Sequence, residues 1–218
     1  MGRKLQLTLS VAHYLLCAAI VLAAVALRWW VVEVVTITSD GCQPALLAGD
    51  RVAINKRAYD KAQPAKGDFI IFTDPRCADS VCVGCITALP GDTLWIDDNG
   101  EPGQRAGASD LVVVPRGGQT IETDIQNIRL YNAAINSHEP ANSAIVDDRL
   151  YIHGSEANHY RFTHSYYWIS TTPEGIDSRH FGLIPSTLMR GKVWGVLYSH
   201  DPACDIFHGW RRGRFLLH

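Results

Sequence analysis

An all-β, mainly antiparallel fold behind an N-terminal transmembrane helix, with an inserted β-rich subdomain, is what this chain of 218 residues predicts. Three observations lead there. Short runs of β-branched and aromatic residues recur from Val31 onward, each bounded by Gly, Pro, Asn or Asp. A run without Asp, Glu, Lys or Arg spans Val11 to Leu27. Beyond it, Ile121 to Ala134 is the one good helix candidate, with Ile125, Ile128 and Leu130 as its apolar stripe and Thr120 and Thr123 as weak caps. With 47% apolar residues the chain can bury a core, and a formal net charge of −2 gives no global electrostatic ground for binding nucleic acid.

The apolar run comes first in the chain. Extended back through Leu5, Leu7 and Leu9, it reaches the roughly 20 residues that a bilayer crossing needs. Arg3 and Lys4 precede it and Trp29 and Trp30 follow, which predicts a cytoplasmic N-terminus and an interfacial aromatic pair. The bulk of the chain then lies outside. Ala24-Val25-Ala26 also fits a small-x-small cleavage site, so a removed signal peptide is the rival reading.

Strands are then expected at 31–38, 51–55, 68–72, 81–89, 93–97, 111–115, 149–153, 166–170 and 192–198, with turns at 65–68, 90–92, 98–100 and 117–118. The organisation predicted is an anchor over 1–30, a β core over 31–97 and 165–205, an insertion over 98–164, and a basic and aromatic segment over 206–218 that suits an anionic membrane surface. Of the six cysteines, Cys82 and Cys85 are three apart and diverge if they share a strand. Cys77 and Cys82 are therefore the expected disulfide. The histidines show no metal-binding spacing, so no metal and no cofactor is expected.

Three stretches carry chemistry when taken together: Ser39-Asp40-Gly41-Cys42-Gln43-Pro44-Ala45-Leu46 with Gly49-Asp50; Gly84 to Asp92, ending in Leu89-Pro90-Gly91-Asp92; and Gly175-Ile176-Asp177-Ser178-Arg179 to Pro185 with Gly191-Lys192. In order and spacing they resemble the boxes of the bacterial type I signal peptidases, membrane-anchored endopeptidases that use a Ser/Lys dyad. The resemblance implies a signal-peptidase-like β fold on the outer face of the bacterial inner membrane, single-pass, within the protein secretion pathway.

The same resemblance places the nucleophile at Gly41, the general base at Gly84, and the serine that hydrogen-bonds that base at Gly175. A dyad needs a hydroxyl and a lysine amine held neutral by burial; glycine supplies neither. The Gly-Asp-Asn-Arg stretch that precedes the third box in the family is replaced by Ile169-Ser170-Thr171-Thr172. Pro44, Asp92, Asp177 and Arg179 are retained, the last three as structural supports, with Asp177 and Arg179 read as a same-face ion pair. Ser39, Gly41, Cys42, Pro44 and Gly84 are the expected groove, and the emptied positions are expected to widen it.

The leading expectation is a pseudoenzyme that binds preprotein signal peptides or an active peptidase paralogue without cutting. A second is an active endopeptidase whose nucleophile has moved to Cys42 or Ser39. The third is a scaffold subunit of an export or assembly complex.

Overall fold

The computed structural model describes residues 2–38, 41–96, 102–103, 110–173, 175–201, 203–204 and 210–211, with side chains left undescribed at 2–12, 27–29, 102–103, 110 and 210–211. Apart from Trp210 and Arg211, the C-terminal segment over 206–218 lies outside the described residues, as does Ser39. Helix α1 (Gly2–Trp30) is where the apolar run predicts a helix. Among the described residues, no helix is long and apolar enough to cross a membrane. Tyr14, Leu15, Leu16, Ile20, Val21, Leu22 and Val25 are all exposed on it.

After α1 the chain is mostly antiparallel sheet. Strands β1 (Val32–Thr36), β2 (Asp50–Asn55), β3 (Phe69–Asp74) and β4 (Cys77–Ala88) open the core. Strand β5 (Thr93–Ile96), which lies before the expected start of the insertion at 98, pairs with β6 (Pro102–Gly103) and β7 (Asp110–Val113) of the insertion, and then come β8 (Thr120–Glu122), helix α2 (Ile128–His138), β9 (Ser143–Val146), β10 (Arg149–Ile152), β11 (Ser155–Glu156) and β12 (His159–Arg161). Then come β13 (Tyr166–Ser170), helix α3 (Ser178–Phe181), β14 (Ile184–Pro185), β15 (Met189–His200) and β16 (Trp210–Arg211). The core sheet runs β1-β2-β15-β3-β4-β13-β14 with β16 on β15, and the insertion forms small separate sheets.

Two-residue periodicity places the apolar side chains. Strand β13 is buried on both faces: Tyr166 and Trp168 pack with Tyr131, Ile135 and Phe162 of the insertion, whereas Tyr167 and Ile169 pack with Ile70, Phe72 and Ile86 of the core sheet. One strand thus joins two apolar clusters. Glu139, just past α2, adds a polar tie, accepting hydrogen bonds from the Thr163 and His164 N–H groups and the Tyr166 hydroxyl.

Helix α2 begins later than its spacing predicts. Thr120–Glu122 is a strand, Ile125 is exposed, and the Asp124 carboxylate accepts from the Gln126 and Asn127 N–H groups in an Asx turn ahead of the helix. The buried stripe is Ile128, Tyr131, Ala134 and Ile135. The retained Gly-Asp turns have a backbone reason: Gly49 has φ 88° and Gly91 has φ 97°, a region costly for residues with a Cβ. The expected Cys77–Cys82 disulfide is not formed, since all six cysteines are free thiols; β4 puts Cys77 out in solvent while Cys82 is half-buried beside the Phe72 cluster.

Candidate functional site

Residues 41 to 46 form a turn closed by a bridge between Cys42 and Leu46, both buried against Ile37, Val52 and Ile71. Beside it lies a cavity of about 310 Å³ lined by Gly41, Cys42, Pro44, Phe69, Cys85 and Thr171 among others. Gly41 is held from the far side, because its carbonyl accepts from the Thr172 N–H at 2.6 Å. Gly175 is close as well: a Cβ built on it would stand 3.0 Å from the Gly41 Cα. The structure therefore brings Gly41, Cys42, Pro44 and Gly175 together.

Gly84 does not line this cavity. It is buried in β4, and a Cβ there would run into the Cγ2 methyl of Ile169 and approach Phe72 at 3.6 Å. A Cβ on Gly175 would likewise collide with the Oγ1 and Cβ of Thr171. Two of the three emptied positions are thus filled by neighbours, and both neighbours come from the replaced stretch 169–172. The expected wider groove is corrected by this packing: space vacated at 84 and 175 is taken up by Ile169 and Thr171, because a close-packed interior does not keep a void of side-chain size.

Asp177 and Arg179 form their expected ion pair, and do so inside the protein. Asp177 is 1% exposed and caps α3. Its carboxylate accepts from the Arg179 N–H at 3.0 Å, the Arg179 Nε at 2.8 Å and the Thr171 N–H at 2.7 Å, and lies 2.9 Å from the Thr171 Oγ1. Arg179 reaches on to the carbonyl oxygen of Thr172 at 2.8 Å. The Gly41 turn, the 171–172 stretch and α3 are consequently one hydrogen-bonded unit. Asp92 braces the Pro90 turn, accepting from the Leu89 N–H and pairing with Lys66.

Neither relocated half of a dyad is assembled among the described residues. Burial pushes the Cys42 thiol up to about 12, and the negative charges of Cys85 and Asp177 add to the rise. At neutral pH it is a thiol, whereas the nucleophile is the thiolate. No lysine lines the cavity. Lys192 is bound to Asp68 at 2.6 Å, Lys66 to Asp92, and Lys56 and Lys61 are exposed. No group of three or more His, Cys, Asp or Glu side chains that could hold a metal occurs among the described residues.

The carboxyls of Asp68, Asp92, Glu139 and Asp177 are all held below their ordinary values. Burial alone would raise each of them, but hydrogen bonds and, for three, neighbouring cations outweigh it. Depressed folded-state values stabilise the protein above the unfolded range of about pH 4 and lose that contribution as pH falls through the folded values. Urea midpoints are therefore expected to be level from pH 7 down to about pH 5 on the carboxyls' account and to fall steeply between about pH 4 and pH 2. His138, held below its usual value by burial and by His164, adds a smaller decline that begins below about pH 6.5. A midpoint that held constant to pH 2 would contradict this.

Among the comparisons with known proteins, the family-model match falls on the stretch that holds the first two boxes. The family model described as signal peptidase, peptidase S26, matches residues 10–102, which takes in Gly41 and Gly84 and ends before Gly175. The signal peptidase I of Aquifex aeolicus is 36% identical over 75 residues, 34% of this chain and 29% of its own length. The probable signal peptidase I-1 of a Synechocystis species is 34% identical over 91 residues, 38% of this chain and 46% of its own. The chain spans less than half the length of these curated relatives. Across residues 10–102, a stretch that holds the Gly41 turn and the β3–β4 hairpin, this chain is similar to the signal peptidase family.

Proposed function

We propose that this protein is a membrane-anchored, non-cutting relative of the type I signal peptidases that holds an extended preprotein segment at the Gly41 cavity. One observation carries the reading: the Ile169 methyl occupies the direction a side chain at position 84 would take, so the place for a general base is packed as well as empty. Loss of a nucleophile or its base typically removes on the order of 10⁶ in kcat. Here both positions are glycine.

The anchor is α1, whose apolar side chains between Tyr14 and Val25 are left exposed by the described residues. On this reading Arg3 and Lys4, at its N-terminal end, favour a cytoplasmic N-terminus, with the sheet on the outer side of a bacterial inner membrane. A cavity of about 310 Å³ lies at the small end for ligand sites. It accepts a side chain or two, so the peptide's main chain must supply much of the affinity, as in strand addition.

The test is full-length protein in detergent, mixed with a fluorescent preprotein peptide bearing a small-x-small site. Saturable anisotropy with an intact peptide is expected. Cleavage after that site, absent from a mock purification, would overturn the non-cutting reading; if it vanished in Cys42→Ala or Ser39→Ala, a moved nucleophile would be the answer. Absence of binding would leave the scaffold reading.

A further inference from the structure

The cavity beside Gly41 holds two thiols that arrive from different elements. Cys42 comes from the 41–46 turn and is 6% exposed. Cys85 comes from β4, next to Gly84, and is half-buried. Both line the same cavity of about 310 Å³. The other side chains lining it, Phe69, Pro44, Ala45 and Thr171 among them, are uncharged, so no cation there stabilises a lone thiolate. The Cys85 sulfur lies 3.9 Å from the carbonyl oxygen of Ile86 and is also hydrogen-bonded by the Gly67 backbone. The two sulfurs are also within electrostatic reach, since charge on Cys85 makes Cys42 harder to ionise. Cys82 sits with the Phe72 cluster of the core sheet and does not line this cavity.

We propose that Cys42 and Cys85 are a covalent cross-link site: oxidised to a disulfide, they tie the Gly41 turn to β4 and shut the cavity. The inference stands on the shared cavity and is independent of whether a peptide is held there. The chemistry is thiol–disulfide exchange with a disulfide oxidant. Cys85, the more exposed, attacks one sulfur of the oxidant as its thiolate, forming a mixed disulfide and releasing one thiol. Cys42 then gives up its proton and attacks the Cys85 sulfur, expelling the second thiol. Two protein thiols are oxidised and one oxidant disulfide is reduced to two thiols. An exported compartment retains such bonds, whereas a reducing one does not.

The experiment uses full-length protein and oxidised glutathione. A Cys77→Ser/Cys82→Ser background leaves Cys85 as the sole thiol between Arg76 and Arg105, so its tryptic peptide reports one site. After oxidation, alkylation and digestion, mass spectrometry should find that peptide joined to the one bearing Cys42, a product that reductant removes and that Cys85→Ser abolishes. The affinity for the preprotein peptide, read by anisotropy titration, is expected to fall at least tenfold on oxidation if the peptide site also exists, and the linkage is expected even if it does not. Recovery of the Cys85 peptide alkylated, or joined to Cys17 or Cys204, would overturn the proposal.

Discussion

Replacing Gly84 with Lys, even together with Gly41→Ser, is expected to yield no signal-peptide cleavage and to destabilise the fold. The new Cβ would enter the volume of the Ile169 Cγ2. Ile169 is fully buried and β-branched, so its side chain has few rotamers with which to move aside. Overpacking of this kind costs about 1–3 kcal/mol. The lysine would moreover start from a strand face turned toward Phe72 and Ile169, whereas the Gly41 cavity is lined by Cys85 from the opposite face of the same strand. Ile169→Gly should cost less in the Gly84→Lys background than in the parent, with a coupling of about 1 kcal/mol or more in a double-mutant cycle. Denaturant midpoints of the four proteins measure this. If Gly84→Lys were as stable as the parent, the packing account would fail, and if Gly41→Ser/Gly84→Lys cut a preprotein, position 84 would still address the site.

Replacing Asp177 with Ala should have the largest effect on stability of any single change at the site, about 3–5 kcal/mol, because it leaves the Arg179 guanidinium, 11% exposed, without its carboxylate. It also removes the cap of α3 and the acceptor for Thr171. For a chain of this size that corresponds to a fall in Tm of roughly 10 °C. Asp177→Asn, which keeps an acceptor but not the charge, should lose less. Thermal unfolding followed by circular dichroism separates the two, and a loss under about 1 kcal/mol for the Ala variant would mean the pair behaves as an exposed one.

Much of the fold was readable from the residues. Tyr166–Ser170 alternates large apolar groups with no polar face, as a strand buried on both sides must, and the Gly-Asp turns announce positive φ. The start of α2 was not readable, because the helical spacing of Ile125 and Ile128 hides an Asx turn whose hydrogen bonds from Asp124 compete with helix. At the site, the three emptied positions were legible one by one. Their coupling was not: Gly84 and Ile169 lie 85 positions apart, and only the pairing of β4 with β13 shows that a glycine and a bulky side chain occur together across one contact. The replaced stretch before the third box carries the signal in the sequence, an isoleucine at 169 that matches the glycine at 84. The depth of Cys42 was hidden too, since a turn residue ordinarily faces solvent.

Glu139 has a consequence for anyone wishing to trim the molecule. Its carboxylate gathers donors from residues 163, 164 and 166, where the chain re-enters the main sheet. Excising the segment between β4 and β13 would remove Glu139 with two of its donors, strip Tyr166 and Trp168 of their cover and leave the Tyr166 hydroxyl without its acceptor. A shortened form that closed the gap with a few linker residues would thus need new polar partners at that seam before it had any prospect of behaving as a well-behaved minimal scaffold.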